Sequence, residues 1–310
     1  MHLGNARTAL LAWLQARAAG GRVALRIDDL DVERCRPEHA AAVVDDLAWL
    51  GLDWDGEVLE QSARGAAYDA ALAKLDARGL VYECFCTRAE LRALASAPHD
   101  ASELGPPYPG TCRELTDAER AAHRAAGRGA ALRLRVPPEP VRFLDELHGE
   151  QVVDVAAGGD FPLRRTDGLH AYALATVVDD AAIRVSDVLR GDDLLAPTGR
   201  QVLLQRLLAV PVPTYCHVPL LYGPDGARLA KRHGAVAVAD LRAGGVPPAA
   251  VTGWLAATAG LAEHGERLAP DALVGRFDVE RLRGAAATVE ASALAELDRA
   301  AGDERVDLDG

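Results

Sequence analysis

The sequence predicts an α/β fold built on a parallel sheet, with a strand-rich insertion in the middle and a helical region at the end. Helical and strand-like segments alternate over the first eighty residues, as in α/β proteins. Short alternating apolar runs and a cysteine-bearing loop lie between residues 82 and 165, and the chain after residue 235 shows helical spacing. The 310 residues, 49% of them hydrophobic, allow one large domain or two to three smaller ones.

Composition narrows the class of protein. The formal net charge of −12 argues against general coating of nucleic acid but leaves room for a local basic groove. We find no targeting segment and no apolar run long enough to span a bilayer, so we expect no membrane partner. Five cysteines, three of them close together, indicate a reducing compartment. We expect a cytoplasmic, monomeric protein.

The chain opens with a motif that suits phosphate binding. His2 and Gly4 precede apolar residues spaced on one helix face, and the helix is expected to stop at Gly20 and Gly21. The free N–H groups and the positive dipole end of a helix favour an anion there. Gly4 allows close approach, and the His2 imidazole can bond a phosphate oxygen. Taken alone, the motif is weak and is more often an ordinary helix start.

The next segment has the order of a nucleotide-binding α/β unit. A strand is predicted over residues 22–27, and it ends in acidic residues that begin at Asp28. Those acids are either site residues or turn formers. Helices are predicted from Pro37 to Leu50 and from Ala66 to Leu75.

Cys84, Cys86 and Cys112 suit a tetrahedral zinc site that needs a fourth ligand. The chemistry of zinc favours His99 as that ligand, with Tyr108 as the less common alternative. Three buried thiols without a metal are the other reading. Strands predicted over 131–136, 142–143 and 151–155 complete the insertion.

Two further segments carry charge that could hold an anionic ligand. A strand over residues 183–191 ends at Arg190, which could grip a carboxylate or simply form a surface salt bridge. A strand over 217–221 leads to the basic loop 228–234, which could neutralise a polyphosphate or be a solvated loop. Helices are expected within 236–241, 247–261, 273–282 and 293–297, followed by a frayed tail.

The two ends together resemble a known family. HLGN (2–5) and RLAKR (228–232) are similar to the two signatures of class I aminoacyl-tRNA synthetases. The sequence between them resembles the glutamyl branch of that family. The blocks that carry the resemblance are LRIDDLD (25–31), LDWDG (52–56), GLVYECFCTR (79–88), AYALATVVDD (171–180), VLRGDDLL (188–195), HVPLLY (217–222) and KRHGAVAV (231–238).

The resemblance implies a domain plan. A Rossmann-type catalytic domain would comprise 1–81 and 166–234, with a zinc-containing insertion at 82–165. A helical stem-contact-like domain would comprise 235–310, with no anticodon-binding domain. The family carries a strand and an Arg-Phe-Ala-Pro-Ser block before the first signature. We therefore expect a catalytic domain that lacks its first strand, either through a start assigned at an internal Met or in an impaired chain.

The length of the chain and its pattern Cys-x-Cys…Tyr-x-x-x-Cys are similar to those of the short paralogues in this branch, the glutamyl-queuosine tRNA(Asp) synthetases. That resemblance implies zinc ligation by Cys84, Cys86, Tyr108 and Cys112, in place of His99. It implies glutamate, ATP with Mg²⁺, and tRNA(Asp) carrying queuosine as substrates. The alternatives are a truncated glutamyl-tRNA synthetase that charges tRNA(Glu), which the KRHG letters favour, and an inactive tRNA-binding paralogue.

The resemblance also assigns roles residue by residue. Asp28, Tyr172 and Arg190 would bind glutamate, and His2 and Lys231 would act in catalysis. The ATP-binding residues would be His2, Gly4, Asn5, Arg228, Leu229, Ala230, Lys231 and Arg232. Three positions depart from the family pattern, since Asp28 replaces Glu, Arg228 replaces Lys, and Ala230 replaces Ser.

Overall fold

The computed structural model describes residues 1–31, 35–87, 89–91, 107–223, 225–226, 229, 237–284, 287–289 and 297. The α-helices are α1 (Leu3–Ala18), α2 (Pro37–Trp49), α3 (Gly65–Asp76), α4 (Asp117–Ala125), α5 (Tyr172–Ala182), α6 (Leu195–Leu208), α7 (Val238–Ala243), α8 (Pro248–Ala257) and α9 (Pro270–Val274). The strands are β1 (Arg26–Ile27), β2 (Leu59–Glu60), β3 (Val81–Cys84), β4 (Ala131–Leu134), β5 (Val141–Asp145), β6 (Gly149–Val153), β7 (Pro162–Arg164), β8 (Asp187–Gly191), β9 (Thr214–Val218), β10 (Leu221–Tyr222) and β11 (Ala287–Thr288).

The central sheet has the order β6-β5-β9-β8. Strand β9 runs parallel to both of its neighbours, β5 and β8, while β5 and β6 form an antiparallel hairpin. Its register places Arg190 opposite His217 and Asp145 opposite Tyr215. Strands β1 and β2 form a separate parallel pair. These parallel pairings confirm the predicted α/β class.

The cysteine-bearing region has its own sheet. Strands β3, β4 and β7 are antiparallel in that order, and β3 ends at Cys84. Thr116 caps α4 in a capping box with Glu119, which explains why this helix begins at Asp117.

Helix α1 lies at the centre of the largest core. It contacts β8 and the C-terminal helices α8 and α9. Leu3, Leu10, Leu11 and Leu14 are fully buried, in agreement with the predicted apolar face. The helix ends before Gly20, which has a φ of +66°. The burial of α1 on two sides explains why its start is held close to both the sheet and the helical region.

Several predicted elements are corrected by the structure. The strand expected over residues 22–27 spans only Arg26–Ile27. The strand expected to begin at residue 183 begins at Asp187, because α5 continues to Ala182 and Arg184 turns the chain with a φ of 59°. The region after residue 235 is not wholly helical, since β11 pairs in parallel with β10.

The hairpin within residues 141–153 was predicted as part of the insertion. It is hydrogen-bonded to β9 and therefore belongs to the central sheet. Among the described residues, no helix combines the length and hydropathy needed to cross a bilayer.

Candidate active site

The start of α1 lies beside the residues that flank the predicted basic loop. His2 forms a single antiparallel bridge with Ala237, and the Val238 N–H donates to the Met1 carbonyl at 2.8 Å. Within that loop, the Leu229 N–H donates to the Leu221 carbonyl at 2.9 Å. Leu229 and Val238 are buried in the same core as α1. Of the second predicted signature, Leu229 shares a core with α1, whereas Arg228, Ala230, Lys231 and Arg232 lie outside the described residues.

The first turn of α1 is open to a ligand. Asn5 is exposed, and among the described residues no atom lies within 4 Å of the position a Cβ would take on Gly4. The first intrahelical bond runs from the Ala6 N–H to the His2 carbonyl at 3.0 Å. The N–H groups before Ala6 therefore have no carbonyl of the helix to bond, which is the arrangement that binds phosphate.

Arg26 anchors Asp28. Its Nε donates to Asp28 Oδ1 at 2.7 Å, and its Nη1 donates to Asp180 Oδ1 at 2.5 Å. The Asp180 side chain is 13% exposed and the Asp28 side chain 42%. Burial raises the pKa of Asp180, and the charges of Arg26 and Arg190 oppose that rise. Asp28 is thus the accessible carboxylate of a buried, charge-balanced group.

Arg190 is held by three partners at the end of β8. Its Nε donates to His217 Nε2 at 3.0 Å, and its Nη2 donates to Thr198 Oγ1 and Gln201 Oε1, each at 2.6 Å. Its guanidinium lies over the Tyr215 ring, 5.4 Å from the centroid. These contacts hold the cation, and within the part of the chain that the structure describes they leave Nη1 for a ligand.

Tyr172 lies in the first turn of α5 and is 44% exposed. Tyr215 lies within electrostatic reach of Tyr172, Arg190 and Asp180. Burial raises the pKa of Tyr215. Asp28 is joined to Asp180 through Arg26, and the charge of Arg190 also acts on Asp180. A phenol, a held guanidinium and a carboxylate are groups that suit a ligand with both an ammonium group and carboxylates.

Asp179, next to Asp180, supports this arrangement from behind. It is fully buried and accepts hydrogen bonds from Gln61 Nε2 at 3.0 Å, Arg64 Nε at 2.5 Å and the Tyr68 hydroxyl at 2.8 Å. These bonds tie α5 to the start of α3. The sequence showed only an acidic end to a buried run at this point, so this role of Asp179 was missed.

The cysteine cluster also forms as predicted. The thiols of Cys84, Cys86 and Cys112 lie within 4.8 Å of one another. Cys86 Sγ is 3.7 Å from Cys112 Sγ, and the Tyr108 hydroxyl is 3.3 Å from Cys84 Sγ and 4.0 Å from Cys86 Sγ. Tyr108 is buried with them. His99 lies outside the described residues.

These distances fit a tetrahedral zinc ion. Zinc bound at about 2.3 Å to sulfur and about 2.0 Å to oxygen places sulfurs about 3.8 Å apart and oxygen about 3.5 Å from sulfur. Burial alone would raise the pKa of Cys84, but hydrogen bonds from Tyr108 and the Cys86 backbone, with the charge of Arg133, lower it. Arg133 also stacks on the Tyr108 ring, 3.9 Å from its centroid. The donor set is thus suited to hold a thiophilic dication.

Comparison with known proteins identifies the family. The profile described as "tRNA synthetases class I (E and Q), catalytic domain" matches residues 1–294. The chain therefore belongs to the class I tRNA synthetases. It is a ligase of that family, as the resemblance of its two signatures implied.

Curated relatives place this synthetase within the family. It is 51% identical over 306 residues to the glutamyl-Q tRNA(Asp) synthetase of Symbiobacterium thermophilum, covering 96% of this chain and 94% of that protein. It is 51% identical over 282 residues to the same enzyme of Nocardia farcinica, covering 91% and 87%. Glutamate–tRNA ligase 1 of Halorhodospira halophila is 42% identical over 304 residues, with 91% of this chain but 64% of that protein covered.

A solved structure shows the same fold. The synthetase superposes on a glutamate tRNA ligase from Elizabethkingia meningosepticum, crystallised in complex with its amino acid, with a TM-score of 0.82. The superposition covers 99% of this chain and 67% of the other at 24% sequence identity. This likeness supports the α/β fold of the catalytic domain.

The structure adds residues that the sequence reasoning missed. Arg7 of the synthetase is 1% exposed and donates to the Thr258 hydroxyl at 3.1 Å and the Pro219 carbonyl at 2.6 Å. Its place on the buried stripe of α1, four residues after Leu3, was a signal for burial. Arg26 could have been found by its spacing, since it lies two residues before Asp28 and extended backbone directs alternate side chains to the same side.

Proposed function

We propose that this synthetase activates glutamate with ATP and transfers the glutamyl group to queuosine in tRNA(Asp). The relatives named glutamyl-Q tRNA(Asp) synthetase carry this proposal, since the chain is 47% to 51% identical to three of them. Relatives named glutamate–tRNA ligase are 40% to 46% identical. The held guanidinium of Arg190 and the accessible carboxylate of Asp28 support glutamate as the amino acid.

Activation joins two anions. A carboxylate oxygen of glutamate attacks the α-phosphorus of MgATP, a new O–P bond forms, and pyrophosphate leaves. Positioning and charge stabilisation therefore dominate over side-chain acid–base chemistry. Arg190 would hold one glutamate carboxylate through Nη1, Tyr172 would line the pocket, and Asp28 would accept from the ammonium group.

The nucleotide would lie along the first turn of α1. N–H groups of Gly4 and Asn5 and the imidazole of His2 would bond its phosphates, as the open first turn allows. Leu229 is buried in the same core as α1. Lys231 and its neighbours remain a prediction for the pyrophosphate contacts, and Lys231 would neutralise the charge of the leaving group.

Transfer follows from the adenylate. A hydroxyl of the queuosine ring attacks the activated carbonyl, a C–O bond forms, and AMP leaves. We propose that zinc is structural here. Cys84, Cys86, Tyr108 and Cys112 would hold it, and the ion would cross-link a loop that has few large apolar residues of its own.

The proposal is tested by incorporation of [¹⁴C]glutamate into tRNA. The expected result is label on queuosine-containing tRNA(Asp), with none on unmodified tRNA(Asp) or tRNA(Glu). Label that is still incorporated into queuosine-containing tRNA(Asp) after its 3′-terminal adenosine has been removed would place it away from the 3′ end. Label that appears on tRNA(Glu) and is prevented by periodate would refute the proposal.

The glutamate–tRNA ligase relatives support a second candidate, the charging of tRNA(Glu). The same experiment separates the two, because they differ in which tRNA is labelled and where. A third candidate, an inactive tRNA-binding paralogue, predicts no glutamate-dependent exchange between ATP and pyrophosphate.

A further inference from the structure

A buried chain of hydrogen bonds lies behind Arg190. His217 Nδ1 is 2.6 Å from Asp145 Oδ2, and both side chains are fully buried. On the other side of the ring, Nε2 receives the Arg190 Nε–H at 3.0 Å. Asp145 and His217 are 72 positions apart and meet because β5 and β9 are neighbours in the sheet.

The contacts determine where the protons are. Asp145 Oδ1 accepts from the Leu147 and His148 N–H groups, and Oδ2 accepts from the His217 N–H at 3.1 Å. With donors on both oxygens, Asp145 is an ionised carboxylate and receives the His217 Nδ1–H. Its pKa agrees, because its hydrogen bonds from His217 and His148 outweigh the effect of burial and lower it.

The other ring nitrogen must then be an acceptor. A guanidinium Nε–H can only donate, so His217 Nε2 carries a lone pair. Thr198 Oγ1 lies 3.0 Å from that nitrogen but donates its single hydrogen to the Leu194 carbonyl at 2.7 Å. His217 is therefore the neutral Nδ1–H tautomer.

The surroundings keep His217 neutral. Burial lowers its pKa, and the charges of Arg190 and His148 lower it further, whereas Asp145 raises it. Asp192 is the other carboxylate in electrostatic contact with the ring. A second proton would turn Nε2 into a donor facing another donor.

The neutral His217 ring fixes the orientation of the Arg190 guanidinium. Its Nε–H and both Nη2 hydrogens are taken by His217, Thr198 and Gln201. Among the residues that the structure describes, none bonds to Nη1. The plane of the guanidinium is thus set by protein acceptors, and only its Nη1 end is presented to a ligand.

We infer that His217, oriented by Asp145, is a positioning residue that sets the Arg190 guanidinium for the glutamate carboxylate. The inference rests on the proposed function for the identity of the ligand. It assigns His217 no contact with substrate. The ring acts by supplying an acceptor where a protonated imidazole or an apolar side chain would leave the Arg190 Nε–H unsatisfied.

A matched pair of variants tests this role. In His217→Gln the side-chain oxygen can take the place of Nε2 and accept from Arg190. In His217→Asn the amide can take the place of Nδ1 and donate to Asp145, but the acceptor for Arg190 is lost. The two variants remove opposite ends of the same ring, so a general packing defect would affect them alike.

The readout is glutamate-dependent ATP–pyrophosphate exchange by the full chain, with KM measured for glutamate and for ATP. We expect His217→Asn to raise the KM for glutamate about ten-fold with little change in the KM for ATP, from the loss of one hydrogen bond to a charged group. We expect His217→Gln to stay within about three-fold of the unchanged protein. Equal effects of both variants, or a rise in the KM for ATP as large as that for glutamate, would overturn the inference.

The tautomer can be measured without any substitution. In the ¹⁵N spectrum of histidine-labelled protein, His217 should show a protonated Nδ1 and an unprotonated Nε2 at neutral pH. A protonated Nε2 would overturn the inference even if a variant failed to fold. If the unchanged protein activates another amino acid and not glutamate, the proposed function fails, and the same KM comparison with that amino acid still tests His217.

Discussion

Replacing Arg26 by Met should reveal how much the pocket depends on its buried charge pair. Met retains most of the apolar stem but removes the guanidinium that joins Asp28 to Asp180. Breaking a buried ion pair by removing one partner costs about 3 to 5 kcal/mol. We expect the low end, about 3 kcal/mol, because Arg190 remains within electrostatic reach of Asp180.

The effect on the ligand should be smaller than the effect on folding. Asp28 is 42% exposed, so its pairing with Arg26 is screened by solvent and contributes about 1 kcal/mol or less. The KM for glutamate in ATP–pyrophosphate exchange should therefore rise no more than about five-fold, as Asp28 loses its anchor. Unfolding in urea, followed by tryptophan fluorescence, gives the stability change.

The matched control is Arg142→Met. Arg142 pairs with Glu150 on the surface, where the two side chains are 62% and 66% exposed. Such a pair is expected to contribute less than about 0.5 kcal/mol. If Arg26→Met destabilises the protein no more than Arg142→Met, the buried network around Asp180 does not have the role described above.

Three further outcomes are expected. Elemental analysis of the purified protein should find about one zinc per chain. The zinc should be lost in Cys112→Ser and reduced in Tyr108→Phe. Full zinc content in Tyr108→Phe would exclude the phenol as a ligand. Because the pKa of His217 is lowered from 6.5 on folding, the unfolded state binds more protons as pH falls from about 7.5 to about 5, and stability declines across that window. The pKa of Asp145 is lowered from 3.8, so Asp145 stays ionised across this window and its contribution to stability there is constant. His217→Asn should therefore flatten the fall of stability with pH. An unaltered slope would contradict the assignment of this pH dependence to His217. Burial lowers the pKa of Arg7 to about 10. Replacing Arg7 by Met should lower the free energy of unfolding in urea by about 2 kcal/mol, because the carbonyl groups that Arg7 bonds lose their partner. No measurable loss would mean that water replaces the guanidinium.

Local patterns predicted the elements that carry their own signal. The apolar spacing of α1 and its glycine stop predicted the helix within a few residues. The Cys-x-Cys spacing with Cys112 predicted a cluster that the structure confirms. Arg190 at the end of its strand was also predicted from position alone.

The groups that support those residues depend on tertiary pairing and could not be found this way. Asp145 looks like an ordinary end of a strand and His217 like one member of a buried strand. Only the register of β5, β9 and β8 places their side chains in line with Arg190. Asp179 is a similar case, since its three partners come from a segment more than a hundred residues earlier.

The most direct test of the account is ATP–pyrophosphate exchange by the purified chain with L-glutamate and no tRNA. The pocket built around Arg190, Tyr172 and Asp28 predicts saturable exchange with glutamate and little with glutamine, which lacks the second carboxylate. Exchange that appears only when tRNA is added, or that glutamine supports as well as glutamate, would contradict it.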